Sequence, residues 1–201
     1  MSEVYTQTIN TLIAEFSALP GIGPKTAERL AFHILKIDSC DALRLAEAIR
    51  NVKKKLRRCR ICFNLAEAEK CTICSDSRRN SSIVCVVEQP KDIINLEKTG
   101  ACKWLYHVLG GHIAPLEGIE PDDLTIKQLT ERVRKGRIDE VVMATNPNVS
   151  GDGTALYISS LLKPFNVKIT RLARGLPAGS TIEYAGSNIL TDAITGRTAM
   201  E

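Results

Sequence analysis

The chain is poor in aromatic side chains, has three histidines, and contains no long uninterrupted apolar run. The last absence excludes a membrane-spanning helix, which needs roughly 20 predominantly apolar residues. The opening residues Met1-Ser2-Glu3-Val4-Tyr5 lack a basic segment leading into an apolar one, so no signal peptide is expected. Internal repeats and low-complexity stretches are also missing. His33, His107 and His112 form no pattern that suggests a nucleophile system, and packed or hydrogen-bonding roles are expected for them. What remains is a chain of 201 residues with ordinary hydrophobic content, long enough for one large or two small domains. It reads as cytoplasmic, with no membrane partner.

In a reducing compartment a cysteine cluster is more often metal-bound than oxidised. Cys59-x2-Cys62-x8-Cys71-x2-Cys74 is such a cluster. Two CxxC turns place thiolates in pairs, and the short stretch between them lets the pairs converge on one tetrahedral ion. Zn²⁺ suits four sulfur ligands because it has no ligand-field preference. A disulfide pair or ordinary buried cysteines are the other readings. A closed four-sulfur shell leaves no vacant position, so the expected zinc is structural and not a catalyst. Cys40, Cys85 and Cys102 are expected to be small buried hydrophobes.

The net charge of +4 is unevenly placed, with the basic excess confined to the first 80 residues. Its centre is Arg50 to Arg60, where Arg50, Lys53, Lys54, Lys55, Arg57, Arg58 and Arg60 occur with no acid among them. A solvated face and a nucleic-acid surface both fit such a run.

Helical spacing of Tyr5, Ile9, Leu12, Ile13 and Phe16 predicts a helix over residues 3–18. A second is predicted from Pro24 to about Lys36, and a third from a cap at Asp41 through Leu56. Residues 75–82 read as a linker. Beyond it, strands at 83–87, 104–109, 138–145 and 167–173 alternate with helices at 90–99, 123–135 and 153–163. Such alternation implies parallel pairing through crossovers, hence an α/β sheet.

Leu19-Pro20-Gly21-Ile22-Gly23-Pro24-Lys25 joins the first two helices. Gly21 and Gly23 let backbone N–H groups approach a phosphate with no Cβ in the way. The helix that follows points its positive dipole end at the same spot. Lys25 and Arg29, spaced i, i+4, share one face and could meet neighbouring phosphates without reading sequence. A plain helix turn with two surface cations is the alternative.

This stretch resembles the helix-hairpin-helix element of DNA-binding proteins. With the cysteine quartet downstream, it is similar to the bacterial RecR family of recombination mediators. Tyr106-His107-Val108-Leu109-Gly110-Gly111, Ala144-Thr145-Asn146-Pro147, Thr154-Ala155-Leu156-Tyr157, Arg174-Gly175-Leu176-Pro177 and Glu183-Tyr184 resemble that family's motifs, in its order. The likeness runs nearly the full length. It implies an α/β fold with four parts: a helix-hairpin-helix region at 1–56, a four-cysteine zinc finger at 57–79, a Toprim-type parallel-sheet domain at 80–173, and a C-terminal segment at 174–201 that could exchange between subunits.

Catalytic Toprim domains carry a glutamate after the first strand and a DxD aspartate pair after a later one, because Mg²⁺ needs hard oxygen ligands. Glu88 fills the first position, but Asn146-Pro147-Asn148 stands where the resemblance places the pair. Asp92 and Asp152 could lie near Glu88 as a residual Mg²⁺ or partner site. The family usually has two glutamates around a glycine where this chain has Ser150-Gly151-Asp152-Gly153. That departure implies a weakened or rearranged contact with RecO.

The resemblance thus implies a non-enzymatic mediator of recombinational repair. It would act with RecO and RecF at double-stranded or gapped DNA and help RecA load onto strand coated with single-strand-binding protein. Dimers or ring-shaped tetramers would multiply the DNA contacts through Lys25, Arg29 and the Arg50–Arg60 face. A Mg²⁺-dependent Toprim nuclease or topoisomerase-like enzyme is one alternative. A zinc-stabilised scaffold that binds proteins but not DNA is another.

Overall fold

A computed structural model describes residues 5–199. The chain divides into two units, residues 1–56 and 57–201.

The first unit is helical: α1 (Gln7–Ser17), α2 (Pro24–Lys36) and α3 (Ser39–Lys55). Its wholly buried side chains are Ala27 and Ala31, one turn apart on α2. Small residues at i, i+4 let α1 approach closely, with Leu12, Ile13 and Phe16 of α1 half-buried. Tyr5 adds an edge-to-face contact with Phe32 at 5.3 Å and donates to Glu28 at 2.6 Å. The cap of α3 is Asp38, whose carboxylate accepts from the Cys40 N–H, and not Asp41, which lies in the first turn. Asp38 itself has an extended backbone, φ −61° and ψ 142°, the geometry that an N-cap requires. Lys53, Lys54 and Lys55 occupy the last turn of α3, where cations offset the negative helix end. Cys40 is exposed, contrary to expectation, because it sits at the start of this helix on its solvent side.

The second unit begins with a short antiparallel pair, β1 (Arg57–Arg58) and β2 (Leu65–Ala66), followed by the one-turn α4 (Thr72–Ser75). Then come β3 (Asn80–Val87), α5 (Pro90–Lys98), β4 (Trp104–Val108), α6 (Ile126–Lys135), β5 (Glu140–Met143), α7 (Val149–Leu162), β6 (Lys168–Arg171) and α8 (Ser187–Thr195). The four long strands form one parallel sheet in the order β4-β3-β5-β6. The supposed linker is shorter than expected, since β3 already begins at Asn80.

The run Ile83 to Val87 has no polar alternation because both faces of β3 are covered. Val84 and Val86 pack with Leu129, Val133, Ile158 and Leu162 of α6 and α7. Cys85 and Val87 face the other way, onto Ile93 of α5, Tyr106 and Val108, with Phe63 and Ile73 of the cysteine region against them. The cysteine region is therefore part of the sheet's second cover.

β4 is an edge strand, yet several of its outward backbone groups are satisfied from outside the sheet. Arg79 donates to the Trp104 carbonyl at 3.1 Å, Arg132 to the Tyr106 carbonyl at 2.6 Å, and the Val108 N–H to the Cys62 carbonyl at 2.8 Å. Residues 104, 106 and 108 share one side of the strand, so these partners close the edge against another chain. Among the described residues, no helix is long and apolar enough to cross a membrane.

Candidate metal centre and nucleic-acid interface

The first cysteine pair sits on the tight turn between β1 and β2. Cys59 donates its N–H to Asn64 O at 2.7 Å and accepts from Phe63 N at 3.0 Å. Phe63 takes φ +62°, a left-handed conformation that reverses the chain at that point. The second pair uses a helix start: Cys71 caps α4, and its sulfur accepts from the Cys74 N–H at 3.4 Å. A bond from Arg60 N to Glu69 O, 2.9 Å, draws the two pairs together.

All four Sγ atoms consequently lie within 4.8 Å of one another, and Cys62 and Cys71 sulfurs are 3.5 Å apart. A tetrahedron with metal–sulfur bonds of about 2.3 Å has edges of about 3.8 Å, so the quartet fits a single Zn²⁺. None of the seven cysteines is in a disulfide.

Burial acts to raise the Cys59 thiol, but the backbone N–H groups of Cys62, Cys71 and Ile61 outweigh it and bring it down to about 6. The hydrogen bond with Cys74, reinforced by burial, pushes Cys62 far up, and burial takes Cys71 up to about 11. Four sulfurs this close cannot all ionise by themselves. A divalent cation is what lets them do so together.

In the helical unit the hairpin joins α1 to α2 through two glycines with different backbones. Gly21 has φ +78°, which favours glycine, whereas Gly23 has an ordinary backbone and precedes Pro24 as the cap of α2. No side chain caps α2, so the positive helix end is open to an external acceptor. Lys25 and Arg29 are exposed and line one shallow hollow with Tyr5, Thr26, Glu28 and Phe32.

The carboxylates of the sheet have different company. Glu88, 3% exposed at the end of β3, accepts from the Asn146 N–H at 2.7 Å, from Asn146 Nδ2 at 2.6 Å, and pairs with His112 Nδ1 at 3.1 Å. Asp92 accepts from the Gln89 N–H at 2.7 Å and completes the capping box of α5. Asp152 lies in the first turn of α7 and bonds Arg174, with Arg171 at 3.4 Å. The Arg174 hydrogen bond holds its carboxyl below the usual range against the opposing effect of burial. Among the described residues, the only group of three or more metal-binding side chains is the cysteine quartet. Glu88, Asp92 and Asp152 thus do not come together as one cluster.

Sequence reasoning placed Asn146 where an acid would stand, but it did not pair it with Glu88. Arg174 as partner of Asp152, and Arg132 on the β4 edge, carried no local signal. His107 is fully buried, with Nε2 3.0 Å from both the carbonyl and the hydroxyl of Thr125. Facing a carbonyl, Nε2 carries the proton, and Nδ1 is left buried without a partner among the described residues.

Comparison with known proteins agrees with this geometry. Family profiles for the RecR helix-hairpin-helix, the RecR zinc finger of four cysteines and the Toprim domain match residues 9–53, 56–76 and 82–173. A protein named Recombination protein RecR from Rhodopirellula baltica is 55% identical over 189 residues, covering 94% of this chain and 95% of that one. The chain belongs to the RecR family. RecR proteins from Rubrobacter xylanophilus and Thermobifida fusca are 50% and 47% identical, over 96% and 98% of this chain and 97% and 100% of their own lengths. As a RecR-family chain it is a DNA-binding protein of recombinational repair with a zinc cofactor. The profile that carries the zinc assignment spans the four clustered cysteines.

Proposed function

We propose that this chain is a non-enzymatic mediator that holds DNA through its helical hairpin and acts with RecO and RecF to help load RecA at gapped DNA coated by single-strand-binding protein. The observation that carries the non-enzymatic reading is the environment of Glu88. Its two oxygens are engaged by the amide groups of Asn146 and by His112. A catalytic Toprim site needs that carboxylate, together with an aspartate pair, free to hold Mg²⁺. Here a neutral amide stands where the resemblance places an acid, and Glu88 holds the loop at Asn146.

Gly21, Gly23, Lys25 and Arg29 are the proposed DNA contacts. The open end of α2 takes one phosphate and the two cations flank it. Assembly into dimers or a tetrameric ring is supported by apolar surface left exposed among the described residues. Leu45, Ile49 and Val52 on α3 are each more than two-fifths exposed, as are Ile189 and Ile194 on α8. Several hairpins in one assembly multiply weak backbone contacts.

A titration of DNA affinity against salt tests the reading. The parent should lose affinity steeply, and Lys25→Ala/Arg29→Ala should flatten the slope by about two phosphate contacts' worth, close to 1.8 in log–log units. A flat parent slope, or one unchanged by the double substitution, would refute the DNA-contact assignment. Mg²⁺-dependent strand cleavage lost in Glu88→Gln would refute the non-enzymatic one.

A further inference from the structure

The capped edge of β4 holds a cation that pairs with no anion among the described residues. Arg132 lies on α6, half-buried, with Nη1 donating to the Tyr106 carbonyl at 2.6 Å. Its neighbours on the helix are accounted for: Glu131 pairs with Arg134 at 2.8 Å and with Lys135 at 2.9 Å, and Lys127 pairs with Asp122 at 2.9 Å. No carboxylate pairs with Arg132 among the described residues, although removing a guanidinium from water without a counter-charge is costly.

What lies beside it is the first cysteine turn. Tyr106 and Val108 present their outward groups on the same side of β4, and while Tyr106 O takes Arg132, Val108 N takes Cys62 O at 2.8 Å. The guanidinium and the Cys62 backbone therefore sit on either side of a single residue of that edge. Arg132 also shares a 540 Å³ cleft with Arg60, Ile61 and Phe63, the residues interleaved with Cys59 and Cys62. Burial lowers the Arg132 pKa, and the four cysteines, as thiolates, oppose that shift.

A Zn²⁺ ion held by four thiolates carries a net charge of −2. With three of its four ligands buried, it needs positive charge near it as much as Arg132 needs negative. We propose that Arg132 is the counter-cation of the zinc tetrathiolate, so that metal occupancy is sensed at the capped edge of β4. The same side chain would then stabilise the metal through charge and the sheet edge through its hydrogen bond to Tyr106.

The two roles separate in substitution. Arg132→Gln keeps a donor for the Tyr106 carbonyl but removes the charge, and Arg132→Lys keeps the charge. Zinc transfer from the full chain to a colorimetric chelator, with metal content checked beforehand, gives the readout. Arg132→Gln should lose zinc about tenfold to a hundredfold more readily, and Arg132→Lys should stay within roughly threefold of the parent. Lys127→Gln and Lys135→Gln, on the rim of the same cleft, should match the parent. Equal zinc retention in Arg132→Gln and the parent would overturn the proposal, as would equal loss in the Gln and Lys variants. A measurement on the unsubstituted chain guards against a variant that does not fold. Hydrogen exchange at Arg132 Nε–H should quicken when zinc is stripped, and an unchanged rate would also overturn it.

Discussion

An added methyl group at Gly151 would lie 2.1 Å from the carbonyl oxygen of Asn146 and 3.0 Å from Glu88 Oε1. The glycine is needed for close approach and not for its backbone angles. It lets the first turn of α7 press on the loop that Glu88 holds, while Asn148 accepts from the Gly151 N–H at 2.8 Å. Gly151→Ala should therefore destabilise the second unit by at least about 1–3 kcal/mol, the usual cost of forcing extra volume into a packed site. Chemical denaturation followed by far-UV dichroism would show it. Gly153, two residues on, has open space where its Cβ would be, and Gly153→Ala should be neutral or slightly stabilising in the same measurement. Glu88→Gln replaces an acceptor oxygen with a donor that faces Asn146 amide hydrogens. About 1–3 kcal/mol of stability should be lost, read as a lower midpoint in that assay. The mainly structural role proposed for Glu88 would fail if the variant were as stable as the parent.

At the scale of elements, β4 gathers the edge cap, the buried histidine and the cysteine region along five residues. Burial, reinforced by the nearby Arg132 charge, lowers the His107 pKa from 6.5 to about 3. The folded chain thus keeps this ring neutral, whereas the unfolded chain protonates it near 6.5. The associated stability is fully present above pH 6.5 and is lost as pH falls from there toward 3, at about 1.4 kcal/mol per pH unit. His107→Gln should flatten the pH dependence of the unfolding free energy between pH 6.5 and 4. A slope identical to the parent's would remove His107 from the account. The elements themselves were largely legible in the sequence. Continuous apolar character marked β3 as buried on both faces, and a proline at the first turn marked α2. The start of α7 was not legible, because Gly151 and Gly153 look like loop residues until the close approach to Asn146 explains the first. Nor was α8 foreseen, because the turn residues Gly175, Pro177 and Gly179 dominate the signal of the tail that holds it.

For the whole molecule, the cysteine quartet and the exposed apolar faces make separate demands. Chelation of zinc, or Cys59→Ser, should release Phe63 and Ile73 from the sheet's second face and uncover the Val108 N–H that Cys62 O now accepts. An uncovered edge strand is a template for pairing with other chains, so the metal-free protein should aggregate on standing. Light scattering after chelation, reversed by added Zn²⁺ if applied early, would check this. Native mass spectrometry of the untreated chain should show a discrete homo-oligomer with one zinc per subunit.

By itself the sequence determined the features that depend on neighbours along the chain. CxxC spacing puts two thiolates on one turn, glycine and proline fix the hairpin before α2, and the apolar pattern of β3 requires cover on both sides. Tertiary structure alone decided the pairings that span distance. Glu88 meets Asn146 across 58 residues, Arg174 meets Asp152 across 22, and Arg132 reaches Tyr106 across 26. Such partners are chosen by how helices and strands pack, because a charge or amide settles on whichever unsatisfied group the fold brings near, and nothing in the local sequence of either residue specifies which that will be.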